Sequence, residues 1–96
     1  MAEDGFTVIR TPKRLDMTTA GKLEEELLAA AAKAGARIEL DMTDTNYINS
    51  VSLRALLKAQ KKINAGRGTM ILTNVSDQVR EVFDVTGFSG VLKFEE

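Results

Sequence analysis

The chain has no cysteine, no histidine and no tryptophan, and only one proline and one tyrosine. Without cysteine there are no disulfides, thiolate nucleophiles or thiolate-ligated metals. Without histidine the commonest general base and the commonest transition-metal ligand are gone. An excess of one charge is also missing: 13 Lys and Arg face 14 Asp and Glu, for a net charge of −1. Such a balance builds no overall field to gather nucleic acid or anionic lipid. No apolar run approaches the roughly 20 residues of a transmembrane helix. The opening MAEDGF lacks the basic and apolar regions of a secretory signal. A cytoplasmic protein that does not insert into a membrane is the expectation.

The residues present suit one soluble domain spanning 1–96, with 44% hydrophobic and 28% charged side chains. Phe6, Val8 and Ile9 mark a first strand near 6–10, which Pro12 ends by removing a ladder donor. Leu15 lies past that bend. Thr18 and Thr19 offer an N-cap to a helix running to Lys33, with Leu23, Leu27, Ala30 and Ala31 at helical spacing. Gly35 suits its C-terminal stop. From Arg37 to Met42 apolar and polar residues alternate, as in a half-buried strand.

A polar loop follows over 43–49. A second helix, roughly 51–65, carries Leu53, Leu56, Leu57 and Ile63 on its apolar side. Gly66-Arg67-Gly68 turns into a strand at Thr69–Thr73. Ser76 caps a third helix that Gly87 closes, and Val91–Phe94 reads as a last strand. This β-α-β-α-β-α-β order predicts an α/β fold with a mostly parallel four-stranded sheet and right-handed crossovers. Doubly covered parallel strands are continuously apolar. The alternation over 37–42 therefore places the helices mainly on one face.

Few residues offer catalysis. No base stands at triad-like spacing from Ser50, and neither GxGxxG nor GxxxxGK[ST] occurs. Asp41 and Asp44 lie at the carboxyl end of a strand, where α/β sheets bind ligands. They could hold Mg²⁺, or serve as turn and cap carboxylates. Lys58, Lys61 and Lys62 complement the dipole at a helix end, and no aromatic residues interleave with them for base stacking. The sequon Asn74-Val75-Ser76 lacks a secretory signal, and Ser76 serves better as a cap. The chain is expected to be no enzyme and to need no metal or cofactor. Ser50, at the start of the second helix, has two readings. Its hydroxyl is an N-cap, with Ser52 as a rival for that job, or it is a phosphorylation site, since a helix N-terminus tolerates an anion.

The stretch LDMTDTNYINSVSLRALLKAQKKI resembles the signature of STAS domains, the sulfate transporter and anti-sigma factor antagonist family. Leu40-Asp41-Met42 resembles the family's strand end, Tyr47-Ile48 its approach, and Asn49 to Leu53 its serine-bearing helix start. Leu15-Asp16 with Thr18-Thr19-Ala20, and Thr73 to Ser76 with Phe83 to Phe88, resemble flanking family segments. The resemblance implies a STAS-like fold with a shortened N-terminal strand and C-terminal helix. The sheet edge this leaves uncovered suits a homodimer. The resemblance further implies an anti-sigma factor antagonist whose Ser50 is phosphorylated by a partner anti-sigma factor kinase. Asp16, Tyr47, Asn49, Ser50, Val51, Ser52 and Leu53 would form the partner-binding surface. Asn49 replaces an acidic residue of the family motif. Ser52 replaces its glycine, which would set a side chain where a partner's backbone could otherwise approach. An alternative is a non-phosphorylated subunit partnering a transporter ATPase or a larger signalling assembly.

Overall fold

A computed structural model describes residues 5–95, so the expected domain bounds of 1–96 run past the described residues at both ends. Three parallel strands form the main sheet: β1 (Thr7–Arg10), β3 (Arg37–Asp41) and β5 (Thr69–Thr73), with β3 in the centre. A second, two-stranded sheet pairs β2 (Arg14–Leu15) with β4 (Tyr47–Ile48), also in parallel. The helices are α1 (Ala20–Ala31), α2 (Ser50–Ala65) and α3 (Asp77–Thr86).

Register explains the two unlike faces of the sheet. Ile38 pairs with Met70 and Leu40 with Leu72, which puts four fully buried side chains on one face. The strands succeed one another in a single direction across the sheet. Right-handed crossovers then carry α1 and α2 over that same face. Leu23 and Leu27 of α1 pack there with Leu53, Leu56 and Ile63 of α2 and with Val79 and Phe83 of α3. Each such side chain contributes about 1.5–3 kcal/mol of burial. Leu57, expected among them, is only half-buried. The opposite face carries Val8, Arg10, Arg37, Glu39, Asp41 and Thr73; Val8, Arg10 and Arg37 are exposed, whereas Glu39, Asp41 and Thr73 are buried.

The fourth strand is reduced to one bridge, Leu72 with Phe94. A 3₁₀ turn at Phe88–Gly90 follows α3, and the Leu92 N–H bonds back to the Phe88 carbonyl at 3.0 Å. That bond keeps Val91 and Leu92 out of extended backbone. The two flanking bonds, Leu72 N–H to Lys93 O and Glu95 N–H to Leu72 O, are both 2.9 Å. Phe94 is held in place by an edge-on contact with Phe83 at 5.2 Å between ring centres.

Two ends match their sequence signals. The Ser76 hydroxyl accepts the Val79 N–H at 3.2 Å, and Gly87 closes α3 at φ +82°. At Gly68 the demand is space: a Cβ there would lie 2.4 Å from the Ala36 carbonyl and 3.1 Å from Ile63 Cγ2. The backbone at Ala36 is fixed by its own bond, Thr69 N–H to Ala36 O at 2.7 Å. Gly68→Ala is expected to cost about 1–3 kcal/mol, the usual cost of overpacking. A urea titration checks this, and an unchanged midpoint would refute the close approach.

Candidate functional site

The site is built where β2 and β4 lie side by side. Arg14 stands opposite Tyr47 and Leu15 opposite Ile48. Leu15 and Ile48 turn inward and are buried, which leaves Arg14 and Tyr47 on the surface. The Arg14 guanidinium lies over the Tyr47 ring, 4.1 Å from its centre. One residue later the Asn49 N–H donates to the Leu15 carbonyl at 3.1 Å, which holds the Asp16 turn against the start of α2.

Asn49 caps α2. Its Oδ1 accepts the Ser52 N–H at 3.1 Å and the Ser52 hydroxyl at 3.2 Å. The capping expected of Ser50, with Ser52 as rival, therefore belongs to Asn49, because only its backbone is extended at the helix entry. Ser50 is the first helical residue. It is exposed, and its hydroxyl makes no hydrogen bond among the described residues. Val51 is also exposed, at 37%. Ser52 and Leu53, expected on the partner surface, instead point inward and are buried. Ser52 turns in because its hydroxyl donates to Asn49, and Leu53 belongs to the core. The side chain at 52 therefore does not reach the surface.

Asp16 is partly exposed in a tight turn. Its Oδ1 accepts the Thr18 N–H at 2.9 Å and the Thr18 hydroxyl at 2.6 Å. The Arg14 Nε lies 3.4 Å from Oδ2. These bonds, the Thr18 hydroxyl foremost, hold the carboxyl below its ordinary value. Thr19 occupies the N-cap position of α1, but its hydroxyl donates to the Arg14 carbonyl at 2.7 Å instead of capping. The sequence readings of this end missed two features. Arg14 is set by register alone, and β4 is only two residues long, too short for a periodic signal. Met17, at the tip of the turn, is 75% exposed. Beyond Tyr47, a groove of about 240 Å³ separates β4 from α3, lined by Asn46, Tyr47, Ile48, Gln78, Val79 and Val82.

Asp41 has a different role. Its Oδ1 takes the Thr43 hydroxyl at 2.5 Å, the Thr43 N–H at 3.0 Å and the Asn74 side-chain amide at 3.0 Å. Arg10 Nη2 meets Oδ2 at 3.3 Å. Together, with the Thr43 hydroxyl first, they push the carboxyl down to about 2. Asp41 is thus a brace for the strand end, shielded by its own partners on the open face. Asp44, weighed as its companion for Mg²⁺, is exposed and takes no part in these bonds. Among the described residues no group of three acidic, histidine or cysteine side chains could hold a metal. No helix among them is long and apolar enough to cross a membrane.

With this geometry the comparisons with known proteins agree. The family profile described as STAS domain matches residues 2–96. The chain belongs to the STAS domain family. It is 32% identical over 88 residues to BtrV of Bordetella bronchiseptica, named an anti-sigma factor antagonist; the match covers 92% of this chain and 76% of BtrV. A solved anti-sigma-factor antagonist (STAS) domain protein from Planctomyces limnophilus is 26% identical. It superposes with a TM-score of 0.83, over 93% of this chain and 80% of that one. SpoIIAA of Bacillus, an anti-sigma factor antagonist, has been solved unphosphorylated and phosphorylated. Its unphosphorylated form is 23% identical, with a TM-score of 0.69, over 93% of this chain and 77% of that one. At that identity it shares the fold. This STAS chain is therefore similar to anti-sigma factor antagonists in sequence and in fold.

Two outcomes are expected from the site's bonds. Asn49→Ala should cost about 1 kcal/mol through the lost cap, whereas Asn49→Asp should keep it; equal unfolding midpoints for Ala and wild type would refute the cap. Asp41→Asn should cost about 1–2 kcal/mol at pH 7, discounted for solvent above the open face. The folded pKa of Asp41 lies below the unfolded value of 3.8, so its contribution is present above about pH 4 and fades as pH falls toward 2. Urea midpoints measured against pH should converge for the two proteins near pH 2. Parallel curves across that window would refute the brace.

Proposed function

We propose that this STAS protein is an anti-sigma factor antagonist that binds a partner anti-sigma factor kinase and is switched by phosphorylation of Ser50. The observation that carries this reading is the free hydroxyl of Ser50, exposed at the first turn of α2. Asn49 does the capping, so modifying Ser50 removes no bond that the fold needs. The docking surface would join Ser50 and Val51 to Tyr47 and Asp16, which border them. Asn49 supports that surface from within it, and Ser52 and Leu53 support it from below. Relatives named as anti-sigma factor antagonists favour this class of partner.

In the transfer, Ser50 Oγ forms a bond to the γ-phosphorus of ATP held by the kinase. The bond from that phosphorus to the ADP oxygen breaks, and the serine proton passes to a base of the kinase. The added group carries a charge of about −1.5 to −2. The helix N-terminus tolerates it, so the domain stays folded. A partner that must desolvate the same patch meets a buried charge and is released.

Incubation with the cognate kinase and ATP, followed by intact-mass measurement, tests the reading. A gain of about 80 Da, one phosphoryl group, is expected for the wild type and is absent from Ser50→Ala. Ser50→Asp should bind the kinase at least tenfold more weakly. No mass gain, together with undiminished binding of Ser50→Asp, would remove the switch.

A further inference from the structure

Ser50, Arg54 and Lys58 recur every four residues and so form one row along α2. All three are exposed. Lys58 is already committed, with its ammonium 3.0 Å from a Glu24 carboxylate oxygen on α1. Arg14, the cation on the neighbouring strand β2, is committed as well, to Asp16 and to the face of Tyr47. Arg54 has no ion pair among the described residues. The charged groups along the row and beside it on β2 are thus two neutralised pairs and one uncommitted guanidinium.

An acidic group four residues before a basic one is the favourable order on a helix. A guanidinium fork also matches phosphate oxygens better than an ammonium does. We infer that, once Ser50 is phosphorylated, Arg54 holds the phosphate within the chain and is thereby withdrawn from the docking surface. Unmodified, the row offers a partner one free cation, which suits a carboxylate on that partner. Modified, the row gains an anion and loses that cation. The phosphate then adds its own charge and also occupies the one guanidinium the row had free. This inference rests on the Ser50 modification proposed above and assigns Arg54 a positioning role within it.

The test installs phosphoserine at position 50 of the full chain by genetic code expansion, with no kinase. The second ionisation of the phosphate is followed by ³¹P NMR. In Arg54→Gln it is expected about 0.3 pH unit higher than in the wild-type background, the size of one exposed helical ion pair. Arg54→Lys should recover much of the difference, and Arg14→Gln should stay near the wild-type value. The Arg54 Nε–H resonance should move when phosphoserine replaces serine. Arg54 is exposed, so its variants are expected to fold, and far-UV circular dichroism monitors this. Identical titrations for wild type and Arg54→Gln would overturn the inference, as would a larger shift in Arg14→Gln. Failure of a kinase to modify Ser50 counts instead against the proposed function, so the two failures are distinguishable.

Discussion

Asn49 carries the constraint on which the site depends. Its N–H is tied to the Leu15 carbonyl, its carbonyl takes the Leu53 N–H at 3.0 Å, and its side chain takes Ser52. One residue therefore joins the β2 turn to β4 and sets the direction in which α2 departs. An extended residue with a short side-chain acceptor is what a helix entry requires. The acidic residue of the family motif would meet the same geometric need, so Asn49 retains the architecture and lacks only the charge. Because Asn49 does this work, the next hydroxyl stays outside the network and Ser52 is drawn inside it.

Two carboxylates at the same end of the sheet show how similar chemistry divides between structure and surface. Asp41 and Asp16 are both held in the ionised form by a threonine two residues on and by an arginine. Asp41 also takes the Asn74 amide, and its partners come from β1, the loop after β3 and the residue after β5. It links three segments distant in sequence. The partners of Asp16 are Thr18 and Arg14, all within one turn. That turn could be altered without unfastening the sheet. Local wiring of this kind suits a surface that meets other molecules, whereas long-range wiring suits a brace.

Much of the fold was legible in the sequence because its signals are local and periodic. Alternation over 37–42, the helical spacing of Leu23, Leu27, Leu56 and Ile63, the N-cap at Ser76 and the stop at Gly87 all report backbone preference directly. The half-buried strand expected from that alternation is not what forms, because Glu39 and Asp41 are buried along with Ile38 and Leu40. The last strand failed because Leu92 is occupied by Phe88, a competition between turn and strand that β-propensity at 91–94 does not register. Within the site, the exposure of Ser50 was readable as a helix start. Its neighbours were not: Arg14 reaches Tyr47 only through a pairing register across more than thirty residues, and the inward turn of Ser52 depends on which of Asn49, Ser50 and Ser52 wins the cap.

That competition bears on what the altered motif can do. A glycine at position 52 would leave the first turn of α2 less restrained and its cap acceptor with one donor fewer. Ser52 supplies a second donor to Asn49 Oδ1 from a fully buried position, so the helix entry is pinned from inside. A pinned entry fixes the backbone of Ser50 without using its hydroxyl. Under the proposed modification, such rigidity would confine the change to electrostatics at the surface, so that a partner would meet the same shape with a different potential. The substitutions at 49 and 52 are therefore compatible with a switch in this chain, because together they secure the scaffold beneath the serine and leave the serine itself free.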